Sequence, residues 1–324
     1  MSSKKILLTL ASIPATIGGL YLAAVMPRII KRPSKKPFVG KLYAHRGLHD
    51  NSSSAPENSM AAFRKAVEAG YGIECDVQLT RDGIPVIFHD FTLARVARYD
   101  KGFESHYPVR NLDGSLGVRG KVGDYSYEEL QHFHLLDSEE KIPKFEDFLK
   151  MVDGKVPLII ELKIEAFDTG VCPVADGLLR NYKGDYCIES FNPLGLIWYK
   201  KHHPSVMRGQ LAEEFLKDEK DEFHSKIWKI PSNLLLNFLT RPDFVAYNYK
   251  HERNMSRRIV RKLYRNTAAA WTIKDQDALD KARGKFDIFI FDSFIPDMKE
   301  KAENMKEKAD QFMEEGTREY TQLN

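Results

Sequence analysis

Apolar positions follow two alternating rhythms along most of this chain. Short runs rich in β-branched and aromatic residues predict strands at Lys41–His45, Gly72–Leu79, Pro85–His89, Pro157–Lys163, Tyr186–Phe191, Val206–Leu211, Phe244–Tyr249, Thr267–Ile273 and Phe286–Asp292. Between most of them, apolar residues recur three or four apart. That spacing predicts helices at Ser59–Glu68 behind an Asn58 cap, Phe145–Met151, Pro193–His202, Ser256–Tyr264, Asp275–Ala282 and Pro296–Glu314. Strand–helix alternation of this length implies a parallel sheet, and eight such units close a TIM (β/α)8 barrel. The ninth strand is the second arm of a hairpin, antiparallel to the first and overhanging the rim. The stretch 91–136 is then an insertion over that same end.

The hairpin places acid inside an apolar run. Glu74 and Asp76 alternate with Ile73, Cys75 and Val77, so both carboxylates share one face, about 7 Å apart along the strand. With Asp82-Gly83 as a two-residue loop, Arg81 faces Ile84, and counting back sets Asp76 opposite His89. Carboxylates on a buried strand are costly unless a cation holds them.

The amino terminus breaks the rhythm. Ile6 to Met26 carries no charge and, as a helix rising about 1.5 Å per residue, would cross a hydrocarbon core of about 30 Å. The expected division is a flank 1–5, a transmembrane helix 6–26, a basic Pro-rich linker 27–40, a catalytic barrel 41–315 and a tail 316–324. Lys4 and Lys5 precede the span, whereas Arg28, Lys31, Arg32, Lys35 and Lys36 follow it. The expectation is a single-pass protein of the cell membrane with its barrel in the cytoplasm. Those seven cations have no acid among them, so the net charge of +3 describes a basic leader on a mildly acidic body. Nucleic acid is not an expected partner. The three cysteines, Cys75, Cys172 and Cys187, have no ligand spacing and form no disulfide framework.

In a barrel of this kind chemistry gathers at the carboxyl ends of the strands. Those ends carry His45-Arg46-Gly47, Glu74-Cys75-Asp76, Glu161-Leu162-Lys163, Ser190-Phe191-Asn192 and Trp271-Thr272. Together with APENS at 55–59, F-x-x-A-x-x-x-G at 63–70, ECDVQLTRDGIPVIFHD at 74–90, IPKFEDFL at 142–149 and IIELK at 159–163, they resemble the glycerophosphodiester phosphodiesterase family from Lys41 to about Pro296. The resemblance implies a phosphodiesterase-type barrel. It also implies metal-dependent hydrolysis of glycerophosphodiesters to sn-glycerol 3-phosphate and an alcohol. Phe291-Asp292-Ser293-Phe294 departs from the family's T-D-x-P-like ending.

The residue types suit that chemistry. A phosphodiester needs its charge offset, its nucleophile deprotonated and its leaving alkoxide protonated. Glu74, Asp76 and Glu161 are hard oxygen ligands for one divalent cation, Mg2+ or Ca2+. Arg46 and Lys163 bind the phosphate, with Glu57 bracing Arg46, and Trp271 walls the substrate. His45 and His89 serve as acid and base in either order, and His89 is also open as a metal ligand. Two other readings stand beside this one. They are a phospholipase C/D-like or lysophospholipase D activity on a membrane lipid, and an inactive membrane-tethered binding protein.

Overall fold

The computed structural model describes residues 16–100, 109–110, 116–118, 120–214 and 229–297. Its centre is a barrel of eight parallel strands: β1 (Leu42–His45), β2 (Gly72–Leu79), β3 (Leu158–Leu162), β4 (Tyr186–Ser190), β5 (Arg208–Ala212), β6 (Phe244–Asn248), β7 (Thr267–Ile273) and β8 (Ile288–Phe291). Each pairs with its neighbours in chain order, and β1 joins both β2 and β8, which closes the ring. The short strand Pro85–Ile87 runs antiparallel on β2, as the hairpin predicts.

Parallel strands are buried on both faces, which explains their near-continuous apolar runs. Tyr43, Ile159, Cys187, Leu211, Ala246, Ala269 and Ile290 fill the interior. Ile73, Cys75, Val77, Ile160 and Leu162 pack outward with Phe63, Phe145, Phe148 and Leu149, from the helices Met60–Glu68 and Phe145–Val152. The fit is tight. A Cβ on Gly209 would lie 2.1 Å from the Phe244 ring, so only glycine allows β5 and β6 to approach as they do.

Four expectations change. The cap of Met60–Glu68 is Ser59, whose Oγ accepts from the Ala62 amide at 3.1 Å; Asn58 is left-handed, with φ 58°, and donates its side chain elsewhere. The hairpin loop has three residues, not two. Thr80 bonds Ile84, Val77 faces Ile87, and the Phe88 amide donates to the Asp76 carbonyl, so Asp76 stands opposite Phe88 rather than His89. The helix Val171–Leu179 was not anticipated, because Pro173 and Gly177 interrupt its pattern. Of the expected helix Pro296–Glu314, Pro296 and Asp297 are not helical, and 298–314 lies outside the described residues, as does the tail 316–324.

The amino-terminal segment differs most. Among the described residues no helix is long and apolar enough to cross a membrane, so the transmembrane helix 6–26 is unsupported; 1–15 lies outside them. The end of that stretch is laid against the barrel. Tyr21 Oη and Ser256 Oγ are 2.6 Å apart, Tyr264 donates to the Leu22 carbonyl, and Val25 is buried with Leu234, Val245 and Val260. The expected linker 27–40 continues over the amino ends of the strands. Arg28 donates to the Pro204 carbonyl at 2.8 Å, Arg32 to the Tyr264 carbonyl at 2.9 Å, and Phe38 enters the barrel interior.

Candidate active site

Register brings the acidic groups together. β1 sets His45 beside Glu74, and β3 sets Glu161 beside Asp76, all at the carboxyl end. Adjacent parallel strands in register turn matching residues the same way, so residues far apart in sequence meet. Glu74, Asp76 and Glu161 are buried, with ligand oxygens all within 4.8 Å of one another. Burial pushes Glu74 well above the carboxylate range, helped by the charges of Asp76, Glu189 and Glu161. Glu161 is also raised by burial, against the pull of Lys163. Burial acts the same way on Asp76, but His89, Lys163 and Arg46 overcome it and hold this carboxyl far below its usual range. Its Oδ1 is buried without a hydrogen-bond donor. Three convergent carboxylates with one orphaned oxygen fit a hard divalent cation.

The cations beside them have fixed places. Lys163 Nζ lies 2.9 Å from Glu161 and 3.6 Å from Asp76. Arg46 adopts the left-handed region, with φ 58°, and its amide donates to the Glu74 carboxylate at 3.1 Å. That conformation costs a non-glycine residue on the order of 1 kcal/mol and is typical of functional positions. Gly47 follows at φ 83°, where a Cβ would come within 2.9 Å of the Ala62 backbone. The turn therefore rests directly on the helix Met60–Glu68. Asn58 Nδ2 donates to Asp76 Oδ2 at 2.9 Å.

Each histidine is tied at Nδ1 to an aspartate. His45 Nδ1 is 3.3 Å from Asp292 Oδ2, with Nε2 turned to Glu74 at 3.9 Å. His89 Nδ1 is 2.5 Å from Asp90 Oδ1. In each ring this leaves Nε2 as the nitrogen open to a second partner. Burial and then Arg46 lower His45 to about 4 despite Asp292, so its ring is neutral near pH 7. Asp292 also meets His49 at 3.0 Å and contacts Lys274. Although the register does not pair His89 with Asp76, the imidazole lies close enough to act electrostatically on both Asp76 and Glu161. The chain leaves the ladder after Ile87, and Gln78 Nε2 donates to the carbonyls of Phe88 and Asp90, which holds the bend.

A chain of ion pairs connects the two halves. Arg46 Nη1 donates to Glu57 at 2.7 Å, Arg95 clamps Glu57 with two bonds of 2.6 and 2.7 Å, and Arg95 Nε reaches Asp90 at 2.6 Å. Burial works against ionisation of Glu57, but Arg95 and Arg46 hold it down at about 2. Trp271 stands edge-on to Phe191 at 5.5 Å, and its Nε1 is buried without an acceptor. Ser190 and Asn192 serve the backbone instead: Ser190 donates to the Leu162 carbonyl, and Asn192 caps the helix Pro193–His202.

The structure thus gathers His45, Arg46, Glu74, Asp76, Glu161 and Lys163 into one centre at the carboxyl rim. Sequence reasoning missed Arg95, Glu189 and the role of Asp292. Asp292 ends an anticipated strand, and Glu189 sits inside one between Ile188 and Ser190, so both were visible to the rule that found the others. Arg95 lies in the insertion and had no such signal.

Fold and site together define a barrel with a carboxylate centre suited to metal-assisted work on an anionic ester. Residues 45–293 match the model of the glycerophosphoryl diester phosphodiesterase family, and the chain belongs to that family. It is 37% identical over 187 residues to the uncharacterized protein YqiK of Bacillus subtilis, covering 54% of this chain and 68% of that one. With glycerophosphodiester phosphodiesterases it shares 33% over 132 residues in Bacillus altitudinis, 39% of this chain and 45% of the relative. In Caldanaerobacter subterraneus the figures are 29% over 179 residues, 52% and 65%. A phosphodiesterase of Oleispira antarctica, solved with its product sn-glycerol 3-phosphate, superposes with a TM-score of 0.58 at 22% identity, over 78% of this chain and 93% of that one. This last likeness is one of fold.

Proposed function

We propose that the chain hydrolyses glycerophosphodiesters to sn-glycerol 3-phosphate and an alcohol, with one divalent cation held by Glu74, Asp76 and Glu161. The convergence of those carboxylates with Arg46, Lys163 and two aspartate-tied histidines carries the reading. When bound, the cation would offset charge on the phosphoryl oxygens. Arg46 and Lys163 bind the phosphate, and Trp271 offers an indole N–H at the wall. His45, neutral at pH 7, takes the proton of the attacking hydroxyl at Nε2, whether that oxygen belongs to water or to the glycerol 2-position. The new P–O bond forms as the bond to the alcohol breaks, and Nε2 of protonated His89 gives its proton to the departing alkoxide. Where the 2-hydroxyl attacks, this leaves a cyclic phosphate, which water deprotonated by the now neutral His89 opens while His45 returns its proton to the 2-oxygen, giving glycerol 3-phosphate. His89 is thus read as acid rather than ligand.

Full-length protein incubated with glycerophosphocholine and glycerophosphoinositol, with and without chelator, tests this. Metal-dependent release of glycerol 3-phosphate is expected; release of a phosphorylated alcohol instead would sink the bond assignment. A second reading, lysophospholipase D-like action, draws support from Phe167 and Ile295, which follow β3 and β8 and are 87% and 74% exposed. Faster turnover of lysophosphatidylcholine than of its deacylated counterpart would favour it.

A further inference from the structure

The helix Met255–Lys262 joins β6 to β7, across the barrel from the carboxylate-bearing strands β2 and β3. Between it and the turn after Gln276–Ala282 lies a groove of about 640 Å³. Arg253, Arg257, Arg258, Arg261, Lys262 and Lys285 line it, against one acid, Glu252. Two of these cations are already neutralised, Lys285 by Glu252 at 2.7 Å and Arg261 by Asp287 at 2.9 Å. Among the described residues the other four have no acidic partner in ion-pair contact.

Arg257 marks the floor. It is 5% exposed, its guanidinium lies 4.3 Å over the Phe286 ring, and its Nε donates to the Glu252 carbonyl at 3.1 Å. Its Nη1 is buried without any acceptor. A buried charge-bearing donor left unpaired is costly. Arg258 and Lys262, four apart on the same exposed helix face, repel each other as well. Both costs fall if an anion enters. Burial lowers Arg257 to about 10 even with Glu252 nearby, as befits an incompletely compensated cation.

We propose that this groove is a second anion site, separate from the catalytic centre, that takes a phosphate group. Arg257 Nη1 bonds one phosphate oxygen from below, and Arg253, Arg258 and Lys262 close on the others from the rim. Guanidinium forks and an ammonium around one pocket match the oxygens of a phosphate better than a single carboxylate. The phosphate would come from a soluble phosphate ester or from the headgroup of an anionic phospholipid.

Full-length protein carrying Lys163→Gln, which weakens phosphate binding at the catalytic centre, is titrated calorimetrically with inorganic pyrophosphate. It is also floated with phosphatidylcholine vesicles with and without phosphatidylglycerol. Adding Arg258→Gln and Lys262→Gln, both exposed, should weaken binding of one probe by about tenfold or more. The same pair in the otherwise native chain should leave glycerophosphodiester hydrolysis unchanged. Loss confined to pyrophosphate identifies a soluble ester, and loss confined to anionic vesicles identifies a headgroup. Arg257→Lys, which keeps the charge but removes the fork, should weaken the same probe. Equal binding of both probes with and without the substitutions, or no binding of either before them, would overturn the proposal.

Discussion

At the residue scale the site is built from pairs, His45 with Asp292, His89 with Asp90 and Arg46 with Glu57. Glu74→Gln or Asp76→Asn removes an anionic ligand with little change in volume. Each should abolish turnover and weaken cation binding measured by calorimetry, while the circular dichroism spectrum stays native; more than a few per cent of residual activity with unchanged metal dependence would count against the metal site. His45→Ala and His89→Ala should each lower kcat by about 10²–10⁴-fold, the usual contribution of a positioned acid or base. If His89→Ala weakens cation affinity as strongly as Asp76→Asn does, His89 is a ligand and not the acid. Asp292→Asn is the finer test of orientation, because it leaves the His45 ring in place but weakens the acceptor for Nδ1–H. A fall in kcat with little change in KM is expected.

At the element scale, two short segments carry strain and reach that the barrel does not supply. Gly47 needs positive φ and has no room for a Cβ against the Ala62 backbone. Gly47→Ala should therefore lower stability by about 1–3 kcal/mol in denaturant unfolding and displace Arg46, raising KM. An alanine variant with native stability and KM would show that the turn adapts. The insertion contributes Arg95, which joins Glu57 to Asp90 and so joins Arg46 to His89. Arg95→Ala should cost about 10-fold or more in activity with cation affinity preserved, and unaltered kcat would mean that the link is only structural. Much of this was legible in the sequence. All nine strands of the barrel sheet and five of the helices follow from periodicity and capping residues, because those signals are local; the four short strands within 91–136, such as Ala97–Tyr99 and Phe133–Leu135, were not anticipated. The hairpin register did not follow. Thr80 pairs with Ile84, giving a loop of Arg81, Asp82 and Gly83, and one residue of slip moves His89 off the rung facing Asp76.

At the scale of the whole molecule, the amino-terminal segment is part of the folded body from Tyr21 onward. Phe38 fills the barrel from below, so Phe38→Ala should cost about 3–5 kcal/mol. A fragment beginning at Lys41 should melt well below the full chain; equal melting temperatures would show that 21–40 is a passive tether. Retention of the full-length protein in the membrane fraction after carbonate washing, together with protection of the barrel from external protease, would be the outcome if 6–26 anchored the chain with Arg28, Lys31, Arg32, Lys35 and Lys36 inside, which would require residues 21–26 to leave their packing on the barrel. Release by carbonate, or ready cleavage from outside, would overturn the anchor or its orientation.

The sequence by itself determined the number and order of the eight barrel strands, the face each presents, and the kinds of chemistry at their carboxyl ends. Those properties depend on neighbours within a few positions, where a period of two or 3.6 decides what is buried. Only the tertiary structure decided that His45 stands beside Glu74 and Asp76 beside Glu161, that Asp292 holds the His45 ring, and that Arg95 reaches back from the insertion to Glu57. Closure of the ring sets those registers, since β1 must pair at once with β2 and with β8. The same closure decided the fate of the apolar leader's last turn. Val25 reads from sequence as part of a continuous hydrophobic stretch, but the barrel offers it Leu234, Val245 and Val260 as partners. Hydrophobicity requires a residue to leave water and says nothing about which apolar surroundings receive it.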